Sequence, residues 1–140
     1  MQKHVCPVWM GYFLASPLRR FRQNPEKILA PHVLAGMTCL DIGCAMGFFS
    51  LPMAQLAGPE GKVLCVDFQE KMLTALERRA RKAGVLERVT FRTCKQDSLC
   101  LEDVRETVDF ALAMAMVHEV PDPRRLFAET YAALKPGALF

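Results

Sequence analysis

The chain is 140 residues long, and nowhere in it is there an apolar run near the ~20 residues that a membrane-spanning helix requires. It has no repeats and no low-complexity tract, which excludes solenoid and disordered-linker architectures. Charge of one sign is scarce in excess: 18 Lys and Arg against 15 Asp and Glu leave a net +3, which makes no case for a nucleic-acid surface. Six cysteines are present, but none forms a Cys-x-x-Cys pair, and no histidine stands at metal-ligand spacing from any of them. A disulfide framework and a zinc site are therefore not expected. Cys39 and Cys65 fall inside apolar runs, where a thiol behaves as a small hydrophobe, and a reduced, cytoplasmic setting suits this usage. Cys6 has no such place.

What is present is the balance of one globular domain, 51% hydrophobic and 24% charged. Residues 1–23 form an N-terminal segment with Trp9, Tyr12 and Phe13 ahead of Arg19, Arg20 and Arg22. Three readings stand for it: a helix packed on the domain, a lid over an apolar substrate, or contact with a membrane surface. Val8 to Ala15 faintly resembles a signal peptide, but the run is short and is taken as part of the mature chain.

From Asn24 onward the pattern alternates. Asn24-Pro25 opens a short helix, Met37 to Ile42 reads as a strand, Phe48 to Ala57 as a helix and Lys62 to Asp67 as a second strand. Glu70 to Ala83 is the clearest helix: Met72, Leu76, Ala80 and Ala83 share one face, Glu77 and Arg81 pair four apart, and Gly84 stops it. Val89 to Cys94 makes a third strand, and the apolar Val108 to Val117 a fourth. Asp122-Pro123 opens a helix with Leu126, Phe127, Tyr131 and Leu134 on one stripe. Lys135-Pro136-Gly137 is expected to end that helix, and Ala138 to Phe140 to open a fifth strand. Such alternation predicts an α/β fold with a Rossmann-like, doubly wound and mainly parallel sheet. Ligands then belong beyond the carboxyl ends of the strands.

Chemistry-bearing residues fall at those ends. Asp41-Ile42-Gly43-Cys44-Ala45-Met46-Gly47 runs from the first strand into a helix, and glycine there permits tight turning and close approach to a ligand. Asp67 closes the second strand, where a carboxylate serves equally as a ribose acceptor or as a helix cap. Asp97 and Ser98 follow the third strand. A dinucleotide fingerprint read from Gly43 would put Phe48 where its third glycine allows helix and strand to pack closely, so that reading fails. His118 and Glu119 follow the fourth strand, and His118 is either a general base or a residue that shapes the loop.

These motifs (DIGCAMG, VDFQEKML, KQDS, MVHEVPDP and the closing LKPG) resemble the class I S-adenosylmethionine-dependent methyltransferases. The likeness is to small-molecule enzymes related to the ubiquinone and menaquinone biosynthesis C-methyltransferases. It runs from about Asn24 to the end and marks 24–140 as the cofactor-binding domain. The resemblance implies S-adenosylmethionine as cofactor, S-adenosylhomocysteine as product, and a small-molecule acceptor. It places Gly43, Cys44, Ala45 and Gly47 around the methionine part, with Asp41 near its amino group. It gives Asp67 the ribose hydroxyls and puts Phe68 and Met72 beside the adenine, with Asp97 and Ser98 at its exocyclic amine. Ala45 stands where the family usually has glycine, which is tolerable if its φ is negative. A class I sheet normally has seven strands, so the chain is expected to stop after the fourth strand and leave that strand as an edge. A non-catalytic cofactor-binding module, or another group transfer on the same fold, are the alternatives.

Overall fold

The computed structural model describes residues 7–140. His4 and Cys6 of the N-terminal segment lie outside the described residues. Five strands form one all-parallel sheet in the order β3-β2-β1-β4-β5: β1 (Thr38–Ile42), β2 (Lys62–Asp67), β3 (Val89–Thr93), β4 (Val108–Leu112) and β5 (Leu134–Leu139). Among the described residues, six α-helices accompany them: α1 (Val8–Leu14), α2 (Pro17–Arg22), α3 (Pro25–Leu29), α4 (Ser50–Ala57), α5 (Glu70–Lys82) and α6 (Pro123–Ala133). The reversal of strand order beside β1 is the switch point at which doubly wound sheets bind ligands.

Strand alternation builds two apolar layers. Cys39, Val63, Cys65, Val89 and Phe110 face α4 and α5, where they meet Met53, Ala54, Leu73, Leu76 and Ala80. Leu40, Ile42, Leu64, Val66, Val108 and Ala111 face the opposite way, onto Leu126 and Ala133 of α6 and onto Leu99 and Leu101. Both faces of β1 and β2 are thus covered.

Caps follow the sequence. The Asn24 side chain accepts from the Lys27 N–H at 3.0 Å, and Asp122 accepts from Arg124 at 3.0 Å and Arg125 at 3.2 Å. Arg81 donates to Glu77 across one turn of α5 at 3.0 Å, and Ala83 is the exposed C-cap rather than a core residue.

Three expectations are corrected. The fourth strand ends at Leu112, because the chain turns at Ala115, which holds φ +57° and is exposed; Ala113 to Val117 lead away from the sheet. On α6 the core positions are Leu126, Thr130 and Ala133, whereas Phe127 and Tyr131 point outward. Thr130 satisfies its buried hydroxyl by donating to the Leu126 carbonyl at 2.8 Å. Third, β4 is not an edge. Leu134 enters β5 directly from α6, and β5 pairs with β4 around an irregularity at Pro136 and Gly137. Proline lacks the ladder N–H, so the chain bulges there instead of stopping. Asp109 fastens this side of the sheet by accepting from the Thr38 N–H and from Lys135 Nζ, each at 2.8 Å.

Candidate cofactor pocket

A cavity of about 540 Å³ opens beyond the carboxyl ends of β1, β2, β3 and β4, within the range usual for small-molecule sites. Its floor is the turn from β1 to α4. Gly43 and Cys44 donate to the Val66 carbonyl at 2.8 and 3.2 Å, which ties this turn to β2. Gly43 takes φ +69°, and a Cβ there would stand 2.8 Å from Met116 Cγ, so both backbone shape and space require glycine.

Asp67 does two things at once. It lines the cavity, and its carboxylate accepts from the Ala45 N–H and the Gln69 N–H, each at 2.9 Å. It therefore clasps the glycine-bearing turn to the start of α5. Burial pushes this carboxyl up from its ordinary value, while the N–H donors of Gln69, Ala45 and Phe68 oppose the shift. Asp41 is almost fully buried on β1 and accepts from the Ser50 hydroxyl. Burial pushes the Asp41 carboxyl up to about 7; the Ser50 hydroxyl opposes the rise and the nearby Asp67 charge adds to it. A carboxyl so poised gains most from a cation brought beside it.

The remaining expected residues divide. Cys44, Ala45, Phe68, Met72, Asp97, Ser98 and Glu119 all line the cavity with Asp41, Gly43 and Asp67. Asp97 is largely exposed at its rim, 3.7 Å from Arg125. Ser98 is buried and already engaged, donating to Glu129 Oε1 at 3.1 Å and accepting from the Cys100 N–H at 3.1 Å. Met72 lies beneath α1, where Gly11 allows its close approach.

Two expected residues are placed elsewhere. Gly47 lies behind the cavity, with φ +86°, and a Cβ on it would be 2.1 Å from Leu76 Cδ1. There it lets α5 pack against the turn. His118 sits in a 3₁₀ turn (Val117–Glu119) with its side chain 73% exposed, outside the cavity lining, and 3.8 Å from Glu119. Ala45 is the third departure: its φ is +46°, so the methyl group occupies a left-handed conformation that glycine adopts without strain.

Several lining residues gave little signal in sequence. Gly11 and Ala15 border the cavity from the N-terminal helical segment, and so does Arg19, whose guanidinium stacks 4.3 Å from the Phe48 ring centroid. Glu129 reaches in from α6, accepting from the Leu99 N–H at 2.6 Å and from Arg125 Nε at 2.9 Å. The Arg125–Glu129 spacing of four was its one sequence cue. Six acids (Asp41, Asp67, Asp97, Glu119, Asp122, Glu129) line the cavity against two bases, Arg19 and Lys95, in a chain that is net positive. The site thus attracts positive charge.

A family model described as a methyltransferase domain matches residues 39–137. A ubiquinone biosynthesis O-methyltransferase of a Methylobacterium species is 31% identical over 134 residues, which cover 96% of this chain and 50% of that protein. The arsenite methyltransferase of Halobacterium salinarum is 32% identical over 114 residues, covering 81% of this chain and 28% of the relative. The chain thus spans half or less of the length of these curated relatives. Among solved structures, a SAM-dependent methyltransferase from Aquifex aeolicus superposes with a TM-score of 0.87 at 28% identity, covering 96% of this chain and 71% of the other.

Proposed function

This chain belongs to the methyltransferase-domain family, and from that premise we propose that it binds S-adenosylmethionine in the acidic cavity and serves its transfer of a methyl group to a small-molecule acceptor. The observation that carries this reading is the convergence of Asp41, Asp67 and Asp97, from the ends of three neighbouring strands, on one cavity. The cofactor carries an ammonium and a sulfonium, and an acid-lined site of this kind suits both.

Asp41, with Gly43, Cys44 and Ala45, takes the amino-acid end. Here the buried carboxyl gives up its proton when the ammonium arrives, so that binding a cation relieves the cost of burying the acid. The Asp67 carboxylate keeps lone pairs beyond those used by Ala45 and Gln69, and these accept the ribose hydroxyls. Phe68 and Met72 border the adenine, with Asp97 and Ser98 at its polar edge. When bound, S-adenosylmethionine would supply an electrophilic methyl that an acceptor takes by in-line attack, with S-adenosylhomocysteine as the leaving group. The protein's share is mostly alignment, which contributes ~7–11 kcal/mol in well-oriented reactions. Of His118 and Glu119, only Glu119 lines the cavity, which supports Glu119 as the group that receives an acceptor proton.

The test is mass spectrometry of products formed from methyl-labelled cofactor with candidate acceptors, phenolic quinone precursors among them. Label in the acceptor supports the reading. Cofactor binding without label transfer to any acceptor would instead favour a non-catalytic binding module.

A further inference from the structure

The first two helices are amphipathic in an inverted sense. Gly11 and Ala15, the small residues of this segment, turn inward onto the cavity wall, Met72 and Met46. Five large ones turn outward: Trp9 is 71% exposed, Phe13 69% and Phe21 90%, with Tyr12 and Leu18 beside them. α2 buries no residue at all. An isolated exposed aromatic needs no explanation, but five large apolar side chains on two consecutive short helices make a patch.

Charge singles out what the patch meets. Residues 1–23 hold four basic side chains and no acidic one, while the remaining 117 hold 14 basic and 15 acidic. The chain's whole positive excess is therefore confined to the segment that carries the exposed aromatics. Arg19 is turned inward over Phe48, whereas Arg20 and Arg22 are exposed beside Phe21; Arg20 also reaches Glu26 in an exposed ion pair. Aromatic side chains flanked by arginines, with no acid among them, are what an anionic bilayer interface binds.

We propose that α1 and α2 dock on an anionic lipid surface, with Trp9, Phe13 and Phe21 in the headgroup region and Arg20 and Arg22 against lipid phosphates. Gly11 and Arg19 on these helices, and Ala15 between them, also wall the cavity, so docking holds the cavity beside the bilayer. Acceptors dissolved in the membrane are then within reach of the site. The docking surface is independent of the transfer chemistry: loss of S-adenosylhomocysteine binding would remove the proposed function and leave vesicle binding as it is.

Trp9 is the chain's single tryptophan and reports directly on this face. The experiment is titration of the whole chain with vesicles of equal parts phosphatidylcholine and phosphatidylglycerol, and in parallel with pure phosphatidylcholine, read by Trp9 emission and co-sedimentation. A blue shift with the anionic vesicles, reversed by high salt, is expected. Arg20→Gln with Arg22→Gln should weaken partitioning about fivefold per arginine. Phe13→Ser with Phe21→Ser should weaken it at least tenfold, and both double variants should still bind S-adenosylhomocysteine. Trp9 emission that anionic vesicles leave unmoved overturns the proposal, as does equal partitioning into neutral vesicles. A blue shift that instead grows with protein concentration alone, with dimers in sedimentation, shows that a second copy covers the face and also overturns it.

Discussion

Replacing Asp67 by alanine separates two roles that the structure assigns to one carboxylate. The residue is 7% exposed, and its carboxylate accepts from two backbone N–H groups at 2.9 Å, one in the turn after β1 and one at the start of α5. Asp67→Ala leaves both donors without their acceptor, at ~1–3 kcal/mol for each if it stays unpaired. Two effects reduce the sum: the truncated side chain leaves space for water near the cavity, and removing a carboxylate whose ionisation burial disfavours returns part of that cost. A net loss of ~1–3 kcal/mol is expected, which for a chain of this size lowers the Tm by roughly 3–12 °C. Calorimetric titration with S-adenosylhomocysteine should also show binding weakened at least tenfold, since charge-assisted bonds to ribose are worth ~1.5–3 kcal/mol each. Asp67→Asn should fall between the two, because an amide accepts at one oxygen only. An unchanged Tm would refute the clasp; an unchanged dissociation constant in a folded variant would reduce Asp67 to a strand-end clasp alone.

Ala45→Gly relieves a positive φ of 46° and should raise denaturant stability by up to about 1 kcal/mol, the strain less the extra flexibility of glycine when unfolded. Gly47→Ala should cost ~3 kcal/mol in the same assay, from φ +86° and the clash with Leu76 together. Asp41 has its folded pKa raised to about 7, so its contribution to ligand-free stability is fully present below about pH 4 and is lost as pH rises through 7. Unfolding of the ligand-free chain should become easier between about pH 4 and 8 by up to ~4 kcal/mol, and Asp41→Asn should flatten that slope. His118→Ala should leave kcat within about twofold by label transfer, since the side chain lies outside the cavity; a hundredfold loss would restore it as a base.

Much of this architecture was legible from residue pattern. Apolar strand-like runs, the caps at Asn24 and Asp122, and the glycine-bearing turn after β1 all depend on local chemistry, and local chemistry is what a sequence displays. The acids at three strand ends were legible for the same reason. Misreadings arose where long-range packing decides. Ala113 to Val117 is apolar enough for a strand, yet it lines a cavity and a turn rather than a sheet. Gly47 stands out in sequence as part of the glycine-bearing turn, but the Leu76 side chain packed against it shows only in the fold. Pro136 and Gly137 signal a stop, but the pairing of β5 with β4 carries the strand through them as a bulge. Arg19 and Glu129 reach the cavity from helices at opposite ends of the chain, and no spacing rule joins them. The inverted amphipathicity of α1 was hidden because the pattern alone does not say which face turns inward.

The most direct test of the central claim is isothermal titration of the chain with S-adenosylhomocysteine and, separately, with NAD. The acid-lined cavity and the Phe48 position predict one-to-one binding of S-adenosylhomocysteine, competed by S-adenosylmethionine, and no heat of binding from NAD. In two buffers of different ionisation enthalpy near pH 6.5, the same titration should show protons released as Asp41 ionises beside the ligand's ammonium. Tight NAD binding with no response to S-adenosylhomocysteine would contradict the account.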